Sequence, residues 1–133
     1  MLLSATVKEK WGRALSITLD FVDRRLPPDL YDAYLTPLFD TWSDVLVEIS
    51  PPAGEILDIA CGTGIVSRKL SQSADVKSVE AIDLAPPMID KAKAITGSES
   101  RVAFQIARAD QLPFEDDQFN AAVCQQGLQF FPN

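Results

Sequence analysis

Residues 57–64 read Leu-Asp-Ile-Ala-Cys-Gly-Thr-Gly, an apolar run that closes on two glycines with one residue between them. The run ends a strand over 55–60, and Gly62 and Gly64 let the main chain turn tightly and approach a ligand without a Cβ in the way. A helix over 65–73 follows, with its free N–H groups aimed at the same spot, so something polar is expected to bind there. Taken alone, two such glycines also mark an ordinary tight turn. Their surroundings decide the reading.

Downstream, the texture is strand and helix in alternation: a strand over 76–82, a helix over 86–96 stopped by Gly97, a strand over 102–107 and a strand over 119–124. Units of this length imply right-handed crossovers and a parallel sheet, a doubly wound α/β fold. Upstream, Ser50-Pro51-Pro52-Ala53-Gly54 is turn chemistry that separates a helical region over 1–50 from the α/β region over 51–133. Within that region Trp11, Leu15, Leu19 and Val22 define an amphipathic helix over 5–25. A second run carries Tyr31, Leu35, Leu38, Trp42, Val45, Leu46 and Ile49 as one stripe. Pro37, with Thr36 before it as N-cap, predicts a kink or a junction of two helices. Tyr31, Tyr34, Phe39 and Trp42 recur at helical spacing, which reads as core packing ahead of a lid.

The 133 residues suffice for one domain with a core. Hydrophobic residues at 47% and charged residues at 23% place the chain among ordinary globular domains and exclude disorder. A formal net charge of -7 repels phosphate backbones and anionic lipid, so neither nucleic acid nor membrane is an expected partner. Two cysteines and no histidine leave no zinc site, no disulfide framework and no mechanism through an imidazole of these residues. With no leader pattern and no run of about 18 apolar residues, the expected compartment is the cytoplasm.

Two carboxylates narrow the ligand. Asp83 ends the second strand, where a carboxylate accepts two hydrogen bonds from a ribose diol; its plain alternative is a loop or capping residue ahead of Pro86. Asp58 stands where a pyrophosphate-binding turn has an apolar residue, and its charge would repel the phosphates of a dinucleotide. A ligand carrying an ammonium and a sulfonium suits it better.

LDIACGTG, EAIDLAPPMIDKA and LPFEDDQFNAAVCQQGLQFFPN occur in that order, and together they resemble the class I S-adenosylmethionine-dependent methyltransferases, in particular the small-molecule group related to the quinone-biosynthesis enzymes. The resemblance implies a Rossmann-like sheet of order 3-2-1-4-5-7-6, of which strands 5 to 7 are absent here. It implies S-adenosyl-L-methionine as cofactor and a small-molecule methyl acceptor. Asp58, Ala60, Cys61, Gly62 and Gly64 match the cradle of the methionine end, Asp83 the ribose carboxylate, Leu84 and Met88 the adenine neighbourhood. Gln125 matches a position lining the cofactor from the next strand end.

The chain departs from the family pattern at Ala107-Arg108-Ala109, where Arg108 replaces the carboxylate that meets the adenine amine. Either Asp110 substitutes for it, or the Ala109 N–H reads the ring alone. Ala85 replaces a capping Ser, and Asn120 a frequent Asp. No catalytic base is identified. Glu115, Asp116 and Asp117 read as a solvated turn. The fourth strand is apolar on both faces, as interior strands are, yet nothing covers its far edge, which predicts a shortened chain or an edge-to-edge or swapped homodimer. Such a chain would bind cofactor without turnover. Two competing readings are a non-catalytic interaction module using that edge and, disfavoured by Asp58, an NAD-dependent oxidoreductase.

Overall fold

A computed structural model describes residues 27–49, 52–98 and 100–131. The helix expected over 5–25 lies outside them. Pro28 opens α1 (Pro28–Tyr34) with its φ preset for a helix and no N–H to leave unpaired, and Asp29 places an acid in the first turn. The chain breaks at Leu35 and resumes as α2 (Thr36–Ile49). Pro37 has no N–H to continue the ladder, so the two helices meet where its sequence position predicts.

The α/β region then runs β1 (Gly54–Ile59), α3 (Ile65–Gln72), β2 (Val76–Asp83), α4 (Pro86–Thr96), β3 (Val102–Ile106) and β4 (Ala121–Val123), with a 3-10 turn at Leu128–Phe130. The four strands form one sheet of order β3-β2-β1-β4. Each pairing is parallel, with Ile56 opposite Val79 and Ala121, and Ala81 opposite Phe104. This is the expected doubly wound arrangement, and it brings the tips of β1, β2, β3 and β4 to one edge.

Ile56, Val66, Leu70, Val76 and Val79 form one buried cluster, onto which Leu46 and Val47 of α2 pack. A second joins Cys61, Ala81 and Phe104 to Ile89 and Ala92 of α4. Truncating a side chain as enclosed as Leu70 typically costs about 2–5 kcal/mol.

Two expectations need correction. The stripe proposed for the second helical run is rotated: Leu38 and Trp42 are 64% and 66% exposed, while Ser43 is fully buried. The α2 face is set by a polar contact described below. The second correction concerns the length of β4, expected over 119–124 and observed over Ala121–Val123, with Ala121 and Val123 half-buried and Ala122 exposed. Among the described residues β4 is an edge, paired with β1 alone.

Candidate functional site

The glycine turn is held from three sides. Cys61 N–H donates to the Ile82 carbonyl at 2.9 Å, tying the turn to β2, and Gly64 N–H returns to the Cys61 carbonyl at 2.9 Å. Gly62 and Gly64 both have positive φ, at 55° and 83°. At Gly64 a Cβ would lie 2.8 Å from the Phe104 ring, so conformation and space both demand glycine. Ala60, at φ 59°, is a left-handed residue without glycine's freedom, as is Gln126 beyond β4, also at φ 59°. The two loops are pressed together, since a Cβ on Gly127 would stand 2.5 Å from Ala60 Cβ.

Asp83 closes the turn from β2. Its Oδ2 accepts from Gly62 N–H at 2.9 Å and its Oδ1 from Ala85 N–H at 2.9 Å. One carboxylate therefore fixes the glycine turn and the start of α4, where Ala85 offers no side-chain cap. A carboxylate has about four acceptor sites, so roughly two remain for a ligand.

These tips enclose a crevice of about 280 Å³. Ala60, Gly62, Asp83, Leu84 and Met88 line it, as do Ala109, Asp110 and Gln125. Asp58 and Cys61 do not; they line a smaller cavity beneath Thr36 and Phe39, to which Ala60, Gly62 and Gln125 also contribute. Gly64 lines neither, and its contribution is the turn itself. Among the described residues no group of three His, Cys, Asp or Glu side chains gathers to hold a metal.

Asp58 is 1% exposed and accepts from Ser67 Oγ at 2.5 Å, inside the first turn of α3. Burial raises its pKa to about 7; hydrogen bonds from Ser67 oppose the rise and the Asp83 charge adds to it. Burial likewise pushes the Cys61 thiol far up, with Asp58 and Asp83 reinforcing it. Cys61 and Cys124 are both free, and Cys61 is no nucleophile in this setting.

The helical segment bridges the site through polar ties. Asp32 Oδ1 accepts from Thr63 Oγ1 at 2.9 Å and from Thr36 Oγ1 at 3.1 Å, joining α1 and α2 to the glycine turn. Asp29 pairs with Lys91 of α4 at 2.6 Å, and Asp40 with Lys69 of α3 at 2.7 Å. Buried Ser43 shares its proton between Gln125 Oε1 at 2.7 Å and the Phe39 carbonyl at 2.9 Å, while Gln125 Nε2 donates to that carbonyl. This contact turns Ser43 inward and sends Trp42 outward. Tyr31 lines both cavities and Phe39 the smaller, whereas Tyr34 is 69% exposed; neither a common core stripe nor a common lid describes the four aromatics.

Sequence reasoning also missed Phe130 and Phe131, which line the main crevice at the end of the 3-10 turn; an apolar pair shortly past a strand tip is the one signal they offered. Asn120 proves structural, because its Oδ1 accepts from Glu55 N–H at 2.8 Å and so starts the β1–β4 pairing.

Residues 56–133 match the family described as methyltransferase domain. The chain belongs to this methyltransferase family. It is 39% identical over 82 residues to the demethylmenaquinone methyltransferase of Clavibacter sepedonicus, a stretch that covers 61% of this chain and 33% of that protein. A solved S-adenosylmethionine-dependent methyltransferase from Mesorhizobium loti superposes with a TM-score of 0.61 at 25% identity, over 71% of this chain and 43% of that one. For the fold alone, a methyltransferase structure from Methanococcus maripaludis gives a TM-score of 0.66 at 17% identity, over 80% of this chain and 50% of that one. The chain spans about a third of the length of the curated relatives it matches. The strand order β3-β2-β1-β4 matches the Rossmann-like sheet of these methyltransferase structures.

Proposed function

We propose that this chain binds S-adenosyl-L-methionine in the crevice over the Gly62 turn and forms the donor-binding part of a methyltransferase that acts on a small molecule. The observation that carries the reading is Asp83, a carboxylate pinned by two main-chain N–H groups with spare acceptor capacity on a crevice walled by Leu84 and Met88. That acceptor fits a ribose diol, beside an apolar slab for a base. A dinucleotide suits it less well: among the described residues Arg108 is the one cationic side chain lining the crevice, and it is already paired with Asp110.

When bound, the cofactor supplies a methyl group activated by a sulfonium. Asp83 would hold the sugar, and the Gly62 turn would admit the amino-acid end toward the smaller cavity that Asp58 lines. Methyl transfer is an in-line displacement in which positioning supplies much of the acceleration, and rigid strand tips tied through Asp83 and Asp32 provide it. Among the crevice rings, Tyr31, Phe130 and Phe131 offer an aromatic wall, which suits a flat acceptor such as the quinone-type ring that the Clavibacter relative's name indicates. The chain contains no imidazole to take a proton from the acceptor.

A second reading, that this chain pairs with another copy, is favoured by the edge position of β4 with exposed Ala122. It is compatible with donor binding, and sedimentation analysis distinguishes a dimer from a monomer. Free thiols at Cys61 and Cys124 suit the reducing cytoplasm. Titration calorimetry with S-adenosylmethionine, S-adenosylhomocysteine and NAD tests the main proposal. Heat with the first two and none with NAD is expected; no heat with either sulfur compound would refute it.

A further inference from the structure

Beyond Asp83 the crevice runs past β2 to the turn that follows β3. Arg108 and Gln111 form an isolated antiparallel bridge there, which fixes the turn. Arg108 Nε and Nη2 donate to the two carboxylate oxygens of Asp110 at 2.8 and 2.7 Å, a two-pronged pair on the crevice rim. The approach to this pair is apolar, over Leu84, Met88 and Ala107. A donor with its ribose at Asp83 and its amino-acid end over Gly62 lays its base on that slab, with one edge of the purine toward the 108–111 turn.

A bare carboxylate at this edge would accept the exocyclic amine of adenine and repel the 6-oxo oxygen of hypoxanthine. Such a preference becomes large when the wrong ligand strands a polar group without a partner. Asp110 is never stranded, because Arg108 keeps both of its oxygens bonded whichever purine is present. The guanidinium beside it is a donor only, and it serves an oxo oxygen as readily as a ring nitrogen. Both side chains also keep contact with water, at 50% and 33% exposure, which further blunts discrimination.

We propose that Arg108 is the specificity-determining residue at the base end of the donor site: by occupying Asp110 it makes the site accept 6-amino and 6-oxo purine nucleoside thioethers with little preference. This rests on the donor reading above. Calorimetric dissociation constants for S-adenosylhomocysteine and S-inosylhomocysteine test it, with circular dichroism melts to show that each variant folds. In the unmodified chain the two constants should differ by less than about tenfold. Arg108→Ala, which leaves Asp110 bare, should widen that ratio by about fivefold or more in favour of the adenosyl compound, and Arg108→Ala with Asp110→Ala should return it to the starting value. A larger initial ratio, or a ratio that Arg108→Ala does not move, overturns the assignment of Arg108 while leaving the donor reading intact. If neither thioether binds the unmodified chain, the donor reading fails and this one with it.

Discussion

Asp83→Asn isolates the charge on which the donor reading turns. The carboxylate spends two acceptor sites on Gly62 and Ala85 N–H groups, each at 2.9 Å, leaving roughly two for the hydroxyls of a ribose. A carboxamide has one acceptor oxygen, and its NH2 faces whichever main-chain N–H it replaces as acceptor, donor against donor. Asparagine must therefore give up a main-chain bond or the sugar. Hydrogen bonds to a charged group contribute about 1.5–3 kcal/mol each, and the half-exposed position argues for the low end, so loss of two weakens S-adenosylhomocysteine binding by about 3 kcal/mol, roughly 100-fold. Calorimetry measures this directly. A 2′-deoxy analogue supplies the second arm of a cycle: it should bind the unmodified chain less well than the parent compound and bind Asp83→Asn about equally well. If Asp83→Asn binds within about threefold of the unmodified chain while melting normally, the ribose assignment is wrong.

Burial holds Asp58 near pH 7, so between the usual carboxylate range and neutrality the folded chain keeps a proton that the unfolded chain has released. Its contribution to stability is greatest at the acidic end and is lost as pH rises toward 7; melts from pH 4.5 to 8 should show this fall in the unmodified chain and a shallower one in Asp58→Asn. Gly64→Ala meets a left-handed φ and the Phe104 ring at once, and should cost about 2–4 kcal/mol in urea unfolding. Asp32→Ala removes the acceptor of the buried Thr63 hydroxyl, lowers stability by about 1–2 kcal/mol and raises amide hydrogen exchange in α1. Trp42→Ser, at an exposed position, should change stability by no more than about 0.5 kcal/mol, which a buried tryptophan would not allow.

The strands and the two helices beside them were legible because each is short and strongly patterned, and Gly54, Gly64, Pro86 and Gly97 mark the start of β1, the start of α3 and both ends of α4. The expected 86–96 helix is observed at those bounds, and the four strands differ from expectation only at their ends. Phe119 and Cys124 fall outside β4, which is reduced to Ala121–Val123. The helical region was legible in kind and misread in orientation. Hydrophobic periodicity assumes that apolar side chains choose the buried face, whereas in α2 the pairing of Ser43 with Gln125, 82 residues later, chooses it. No local pattern encodes a contact at that separation. The same limit applies to the site. Gly62 and Asp83 sit on the crevice because motif spacing places strand tips well, while the inward turn of Asp58 toward Ser67 depends on how α3 packs.

Ala60 and Gln126 hold left-handed backbone on facing rims of the crevice, each a conformation that costs a non-glycine residue about 1–2 kcal/mol. A laboratory selection for heat resistance would therefore find ready gains there, through glycine at either position. Those gains would come from the ligand's own doorway, relaxing loops whose fixed shape spares an arriving molecule the work of ordering them. Hardier descendants of this chain selected for endurance alone should thus be its poorer receptors.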